Sequence, residues 1–265
     1  MEISILGLVV GLILLVIPLY IIYAFKLKIL PKALTGIVKM MVYLSLTGFF
    51  LKYIFEYDNT LLNILWVMVM AVAASFTTIV RARLNIRRFI IPVGAGIFFP
   101  AIGVGLIFIF LVMGQKNPFD ARYFVPIMGL LIGNLMEGNY KALSIYYMGL
   151  KHHNQQYYYM LGNGATHGEA VNHFVKRALE KTAIGNIAKM AAIVVGLSPI
   201  VMWTMLLSGV SVVLAVEYQV LIFVVIFCTS MVSLVTTLWV ARKYSFDEYG
   251  RLNEISKNVD INQSI

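Results

Sequence analysis

Charged side chains are scarce in this sequence, so those inside apolar stretches are the first to examine for chemistry. Asn134, Glu137 and Lys141 lie in the middle of a stretch running from Tyr123 to Leu150. Glu137 and Lys141 stand four residues apart with the acid first, the favourable order for an ion pair on one helix. Ionisable groups inside a bilayer are costly and gather where they are used, so Asn134, Glu137 and Lys141 are the candidate translocation path for a cation or polar solute. The plainer reading of the same residues is a self-neutralising pair that faces the bundle interior and packs. All four histidines, His152, His153, His167 and His173, fall between residues 151 and 183. Adjacent histidines ligate one ion poorly, and no cysteine or carboxylate set completes a site, so no metal centre is expected. The fourteen methionines are scattered and read as packing. No catalytic set is legible.

The same stretch, 151–183, carries a second constellation. Gly162 and Gly164 flank Asn163 and allow a sharp turn. Thr166 and Glu169 then have the spacing of a capping box, in which each side chain satisfies a main-chain N–H near the other. Downstream, Ala170, Val171, Phe174, Val175, Ala178 and Leu179 form one apolar stripe at helical spacing. Asn172, His173, Lys176, Arg177, Glu180 and Lys181 take the other face. Two readings stay open on these residues: a helix lying on membrane lipid, or a docking element for a cytoplasmic protein. Under the second, Phe174 is the expected anchor, being the largest apolar side chain on the ridge.

The elements that must position these residues are membrane-spanning. The 265 residues are 60% hydrophobic and 12% charged, and the apolar residues come in unbroken blocks. Seven blocks are expected to cross the bilayer: Ile3–Phe25, Ile37–Phe55, Leu61–Val80, Phe89–Met113, Tyr123–Leu150, Ile184–Val210 and Val212–Ala241. None alternates apolar and polar residues as a barrel strand does, so the expected fold is an all-α polytopic bundle. Glu2 stands where a cleavable signal wants positive charge, so the first block is expected to stay. Cys228 is the lone cysteine and precludes an internal disulfide. Basic residues cluster in alternate connections: Lys26, Lys28 and Lys32; Arg81, Arg83, Arg87 and Arg88; Lys151, Lys176, Arg177 and Lys181; then Arg242 and Lys243. The positive-inside rule puts these and the C-terminus in the cytoplasm and the N-terminus outside. That topology accounts for the net charge of +9, and nucleic acid is set aside as a partner. One transmembrane domain is expected over 1–245, followed by a loose polar tail over 246–265. Lys39, Lys52 and Lys189 lie near span ends and are expected to snorkel. Gly94, Gly96, Gly103 and Gly105 are expected at close helix contacts. Pro18, Pro92, Pro100, Pro126 and Pro199 are expected to kink or end spans.

Three short regions, and a dipeptide in the last span, resemble one known family. Leu51-Lys52-Tyr53-Ile54-Phe55 closes the second span. Pro126-Ile127-Met128-Gly129 and Ile132-Gly133-Asn134 occupy the fifth. Gly164-Ala165-Thr166 with Glu169-Ala170 is similar to a cytoplasmic "GATPxEA" run, with His167 at its proline. Tyr218-Gln219 opens the last span in the same way. Together, over roughly residues 35–240, they resemble the FetB-type ABC permeases, to which iron export is ascribed and which are similar to a plant permease linked to aluminium sensitivity. The chain departs from that pattern at Leu197-Ser198-Pro199-Ile200-Val201-Met202, where the family has Leu-Pro-Gly-Met-Met. It departs again at Trp203, Met205 and Glu217.

The resemblance implies a permease subunit in the cytoplasmic membrane, paired with a second copy and with two copies of a separate ATPase. The chain has no G-x-x-x-x-G-K-[ST] run, so ATP would be bound by that partner and no cofactor by this chain. Gly164, Ala165, Thr166, Glu169, Ala170, Val171 and Phe174 would couple the permease to the ATPase. The alternatives are a transporter or channel that works without an ATPase and, behind it, a seven-helix receptor. A retinal protein is excluded, since Val212–Ala241 has no lysine for a Schiff base. A membrane enzyme would want a better cluster of His, Asp or Glu at one face.

Overall fold

The computed structural model describes residues 5–192, 199–247 and 250–253. The described chain is helical, and its one β-type contact is an isolated bridge between Phe246 and Leu252. It divides into two compact units, Met1–Tyr57 and Asp58–Ile265, where the sequence reading expected a single domain to residue 245.

The first unit holds α1 (Ile5–Ile13), α2 (Val16–Ala24) and α3 (Leu30–Tyr57). The first apolar block is thus two short helices. The break lies at Leu14 and Leu15, where the bonds shorten to i−3: Leu15 N–H donates to Leu12 O and Ile17 N–H to Leu14 O. Helix α3 starts seven residues before the expected Ile37. Pro31 is tolerated there because first-turn N–H groups have no partner within a helix.

The second unit runs α4 (Thr60–Arg81), α5 (Ile86–Ile107, prolonged by a π-helical turn over Phe108–Val112), α6 (Ala121–His152), α7 (Asn154–Gly162), α8 (His167–Ala191), α9 (Ile200–Leu207) and α10 (Val212–Ser245). Short polar side chains start the helices. Asn59, Asn85 and Asp120 each accept from the main-chain N–H two residues on, at 2.9, 3.1 and 2.9 Å. Pro92 and Pro100 lie within α5 and Pro126 within the start of α6, and neither helix ends at them.

Among the described residues, four helices are long and apolar enough to cross a membrane: α3, α4, α5 with its π-turn, and α10. Helix α6 has the length, 32 residues, but Asn134, Glu137, Asn139 and Lys141 dilute its apolar character. The expected sixth span falls on the end of α8, on residues 193–198 outside the described part, and on α9. Leu197 and Ser198 of the departing motif lie outside the description too.

The core of the second unit is built where α5 and α10 touch. A β-carbon on Gly96 would lie 2.9 Å from the Thr237 Cα, so only glycine permits this approach. Ser233 on α10 donates its hydroxyl to the Gly96 carbonyl, and Asn139 on α6 donates to Ser233 at 2.8 Å. Asn139, Ser233 and Thr237 are wholly buried. Gly105 makes a second close contact, its would-be β-carbon 2.6 Å from the Met128 methyl. Gly94 makes only an ordinary contact, 3.8 Å from Ser75 Oγ, and Gly103 faces open space, so two of the four expected glycine contacts form.

The two ends of this unit differ. At one, Asp58 accepts from Ala121 N–H at 2.9 Å, and Asn63 donates to Phe119 O at 2.9 Å, joining α4 to the start of α6. At the other, the Phe89 and Tyr147 rings meet edge to face at 5.0 Å and Tyr147 bonds Ser245 at 2.7 Å. These contacts gather the basic residues at the start of α5 and the ends of α6 and α10 at one pole.

Gly96 and Gly103 make a matched test. Gly96→Ala is expected to destabilise the protein by about 1–3 kcal/mol, because its methyl must push α5 off α10. Gly103→Ala should be neutral or gain up to about 1 kcal/mol from helix propensity. Thermal unfolding of both variants in detergent checks this, and equal behaviour would contradict the packing.

Candidate functional site

The polar residues of α6 do come together, but with partners that their spacing did not reveal. Lys141 Nζ lies 2.7 Å from Glu137 Oε1, the expected intrahelical pair. Lys189 of α8 lies 3.1 Å from the other oxygen, Glu137 Oε2, and reaches Asn134 Oδ1 at 3.5 Å. Lys189 therefore does not snorkel; it reaches across to α6. Glu137 is bracketed by two ammonium groups, one on each carboxylate oxygen. One turn before Lys189, Asn186 donates to Ser230 of α10 at 2.9 Å. These residues, with Thr182, Gly185 and Lys181, line a small cleft of ≈ 50 Å³ between α6, α8 and α10. The cleft opens outward: the Glu137 and Lys189 side chains are 41% and 39% exposed.

Sequence reading missed Lys189 as a partner, and missed Asn186, Ser230 and Asn139 altogether. The rule that singled out Glu137 applies equally to Asn186 and Lys189, polar residues one turn apart in an apolar stretch. Ser230, Ser233 and Thr237 also repeat at helical spacing along one face of α10.

The start of α8 forms as its residues predict. Thr166 Oγ1 accepts from Glu169 N–H at 3.3 Å, and Glu169 Oε2 accepts from Thr166 N–H at 2.7 Å. That main-chain bond, and then a 2.8 Å bond donated by the Thr166 hydroxyl to the same oxygen, hold the Glu169 carboxyl below its ordinary range. Gly164 sits at φ +86°, a conformation that favours glycine, and turns the chain between α7 and α8.

The apolar stripe behind this cap is already occupied. Ala170, Val171, Phe174 and Ala178 are buried within the chain, and Phe174 is 2% exposed. Its ring lies against α6 at Gly149, where an added β-carbon would come within 3.1 Å. Phe174 is thus packed as a core residue, while Val175 and Leu179 of the same stripe stay half-buried. The expected helix over Gly164 to Phe174 is the start of a longer one. Helix α8 runs unbroken for 25 residues, from the cap at Thr166 past Lys189 to Ala191. Gly164, Thr166 and Glu169 remain exposed, with Ala165 half-buried, and Tyr159 at the end of α7 is 73% exposed beside them.

A third segment closes over this corner. The start of the expected loose tail folds back: Asn253 N–H donates to Ser245 O at 2.9 Å and Asp247 N–H to Arg251 O at 3.0 Å. Tyr157 donates its one hydroxyl proton to Gly250 O at 2.7 Å. His167 Nδ1, 2.9 Å away, must then supply the proton of its own bond to that hydroxyl, so Nδ1 is the protonated nitrogen. Phe246 packs edge to face on the His167 ring at 4.3 Å. Burial pushes the Tyr157 hydroxyl up to about 12. Burial, and then the nearby Arg242, pull His167 below its ordinary value. Among the described residues no group of three His, Cys, Asp or Glu could hold a metal ion.

Four long apolar helices, with a charged cluster between two more polar ones, α6 and α8, define a multi-pass α-helical membrane protein. Within that class the chain belongs to the uncharacterised protein family UPF0014, which matches residues 5–246. It is 23% identical to the Escherichia coli K12 protein named "Probable iron export permease protein FetB" over 243 residues, 90% of this chain and 91% of that one. It is 26% identical to the Arabidopsis thaliana protein ALUMINUM SENSITIVE 3 over 217 residues, 82% of this chain and 78% of that one. No solved structure matches the chain.

The charged cluster predicts a specific order of stabilities. Glu137→Gln leaves two ammonium groups facing each other and should cost about 1 kcal/mol, a surface-pair magnitude given the exposure of all three side chains. Adding Lys141→Met should restore stability only in part, because Lys189 has also lost its carboxylate. The triple variant with Lys189→Met should unfold at a higher temperature than the double. If the double alone recovers wild-type unfolding, Lys189 plays no part.

His167 sets a pH dependence. Its folded value lies below the unfolded ~6.5, so its neutral form favours the fold above that pH. The contribution is lost as pH falls from about 6.5 through the lowered folded value. Protection of the Arg251 and Leu252 amides, measured as exchange relative to the intrinsic rate at each pH, should therefore fall on acidification below about pH 6.5, and His167→Gln should remove that dependence.

Proposed function

We propose that this chain is the membrane-spanning permease subunit of an ABC transporter. In this reading two copies join a separate ATPase, which binds and hydrolyses the ATP. The basic pole of the second unit faces the cytoplasm and the complex sits in the cytoplasmic membrane. Seven spans with the N-terminus outside and the C-terminus inside satisfy the charge pattern. Iron export, named for the Escherichia coli relative, is the activity carried over.

The observation that carries the proposal is the continuity of α8. One end is the capped, exposed corner with Gly164 and Glu169; the other holds Asn186 and Lys189 in the membrane cleft. The 22-residue separation of His167 and Lys189 spans about 33 Å of helix. A push at the corner by a partner that changes shape on hydrolysis would reach the cleft as a rigid-body movement, with no other element needed. The docking surface is the exposed side of the corner, Tyr159 with Gly164, Glu169, Asn172 and His173, since the apolar stripe is committed to α6.

Tyr159 is an aromatic side chain of the sort that anchors interfaces, and being exposed it can change without disturbing the core. Tyr159→Asp should reduce the ATPase recovered with the tagged permease at least about tenfold, the scale of a lost interface anchor, while permease yield stays normal. Phe174→Asp should instead lower the yield of folded permease itself. Undiminished recovery of the ATPase with Tyr159→Asp would sink the docking assignment.

A further inference from the structure

We infer that the cleft between α6, α8 and α10 receives an oxyanion, a carboxylate or phosphate group, and not a bare metal cation. The inference rests on the reading of this cleft as part of the transport path. Its lining carries three ammonium groups, Lys141, Lys181 and Lys189, against one carboxylate, Glu137. Glu137 cannot serve an arriving cation without a rearrangement. Each of its oxygens already accepts from a lysine, at 2.7 and 3.1 Å, so a metal ion there would lie within a few ångströms of two positive charges. The other lining donors are committed within the bundle: Thr182 donates to Ala178 O, Ser230 to Ile226 O, and Asn186 to Thr182 O and Ser230, so the lysines are the groups that would meet an arriving ion. A cleft with one dominant sign of charge and low-dielectric walls concentrates ions of the opposite sign. Lysines serve as point charges for phosphate and carboxylate, and they supply donors only.

Lys181, Gly185 and Lys189 lie at successive i+4 steps on α8. They form a positive row along the helix that leads from the capped corner, and the glycine between them leaves the row open, with nothing within 4 Å of its would-be β-carbon. The row gives an oxyanion a route from the basic pole to Glu137. There it would exchange with the carboxylate for the Lys189 ammonium, releasing Glu137 to Lys141 alone. Glu137 is then the placeholder that keeps Lys189 in position while the cleft is empty. A metal ion would pass this cleft only inside an anionic chelate, whose oxyanion ligands face the lysines.

The test uses the purified full-length chain in nanodiscs of zwitterionic lipid, titrated calorimetrically at constant ionic strength with citrate, inorganic phosphate and Mn²⁺. Saturable binding of citrate or phosphate is expected. Lys189→Met should weaken it at least about tenfold, the scale of one lost charge-assisted bond, with Lys189→Arg keeping most of it. Lys181→Met, which leaves the Glu137 bonds untouched, should weaken it in the same direction and guards against misfolding of the first variant. Absence of saturable oxyanion binding overturns the inference. So does oxyanion binding that ignores both lysine variants, and so does Mn²⁺ binding that is lost in Glu137→Gln. Because no ATPase is present, these results are independent of whether one docks at Tyr159. Loss of the permease reading would show in the recovery experiment and not here.

Discussion

Two hydrogen bonds set the register of the second unit: Asn139 to Ser233, and Ser233 to the Gly96 carbonyl. In hydrocarbon a polar side chain has no water to turn to, so it must find a partner on another helix. These bonds do so where α5, α6 and α10 are closest, and they leave little freedom for sliding. Glu137 precedes Asn139 by two residues, and Ser230 precedes Ser233 by three. Once the buried bonds are made, the cleft residues of α6 and α10 are placed, and α8 need only supply Asn186 and Lys189.

This arrangement separates what holds the bundle from what works in it. The buried contacts of α5 with α10 use glycine and small hydroxyls, groups that admit one geometry. The cleft uses long flexible lysines around a single carboxylate, groups that can exchange partners at little cost. The same division recurs along α8. Its first half is held against α6 by Phe174 at Gly149, while its second half carries polar groups toward the cleft.

What could be read from the sequence was local. The capping box of Thr166 and Glu169 depends on residues three apart, and the Glu137–Lys141 pair on residues four apart, so both were visible in the spacing. The helical class followed from composition. Lys189 was not legible as a partner because it is 52 residues from Glu137, and its place near a span end suggested snorkelling. The stripe through Phe174 showed correctly that one face of α8 is apolar, but a stripe does not name what covers it. Here α6 does, through the bare backbone at Gly149. At the start of the polar tail, the described residues 246–247 and 250–253 are held by main-chain bonds and by contacts that spacing does not show: the Tyr157 hydroxyl on Gly250 O and the Phe246 ring on His167.

Asn186 and Lys189 sit one turn apart on a single unbroken helix, so a rigid movement of that helix carries both. Turning α8 about its axis moves both through the same angle, so the bond to Ser230 on α10 and the ion pair with Glu137 on α6 break together. The helix has no hinge among its described residues to divide the motion. Under the proposed transport role, such a turn would release α10 and α6 together, whereas a side-chain exchange at Lys189 would leave the Asn186 bond to Ser230 in place.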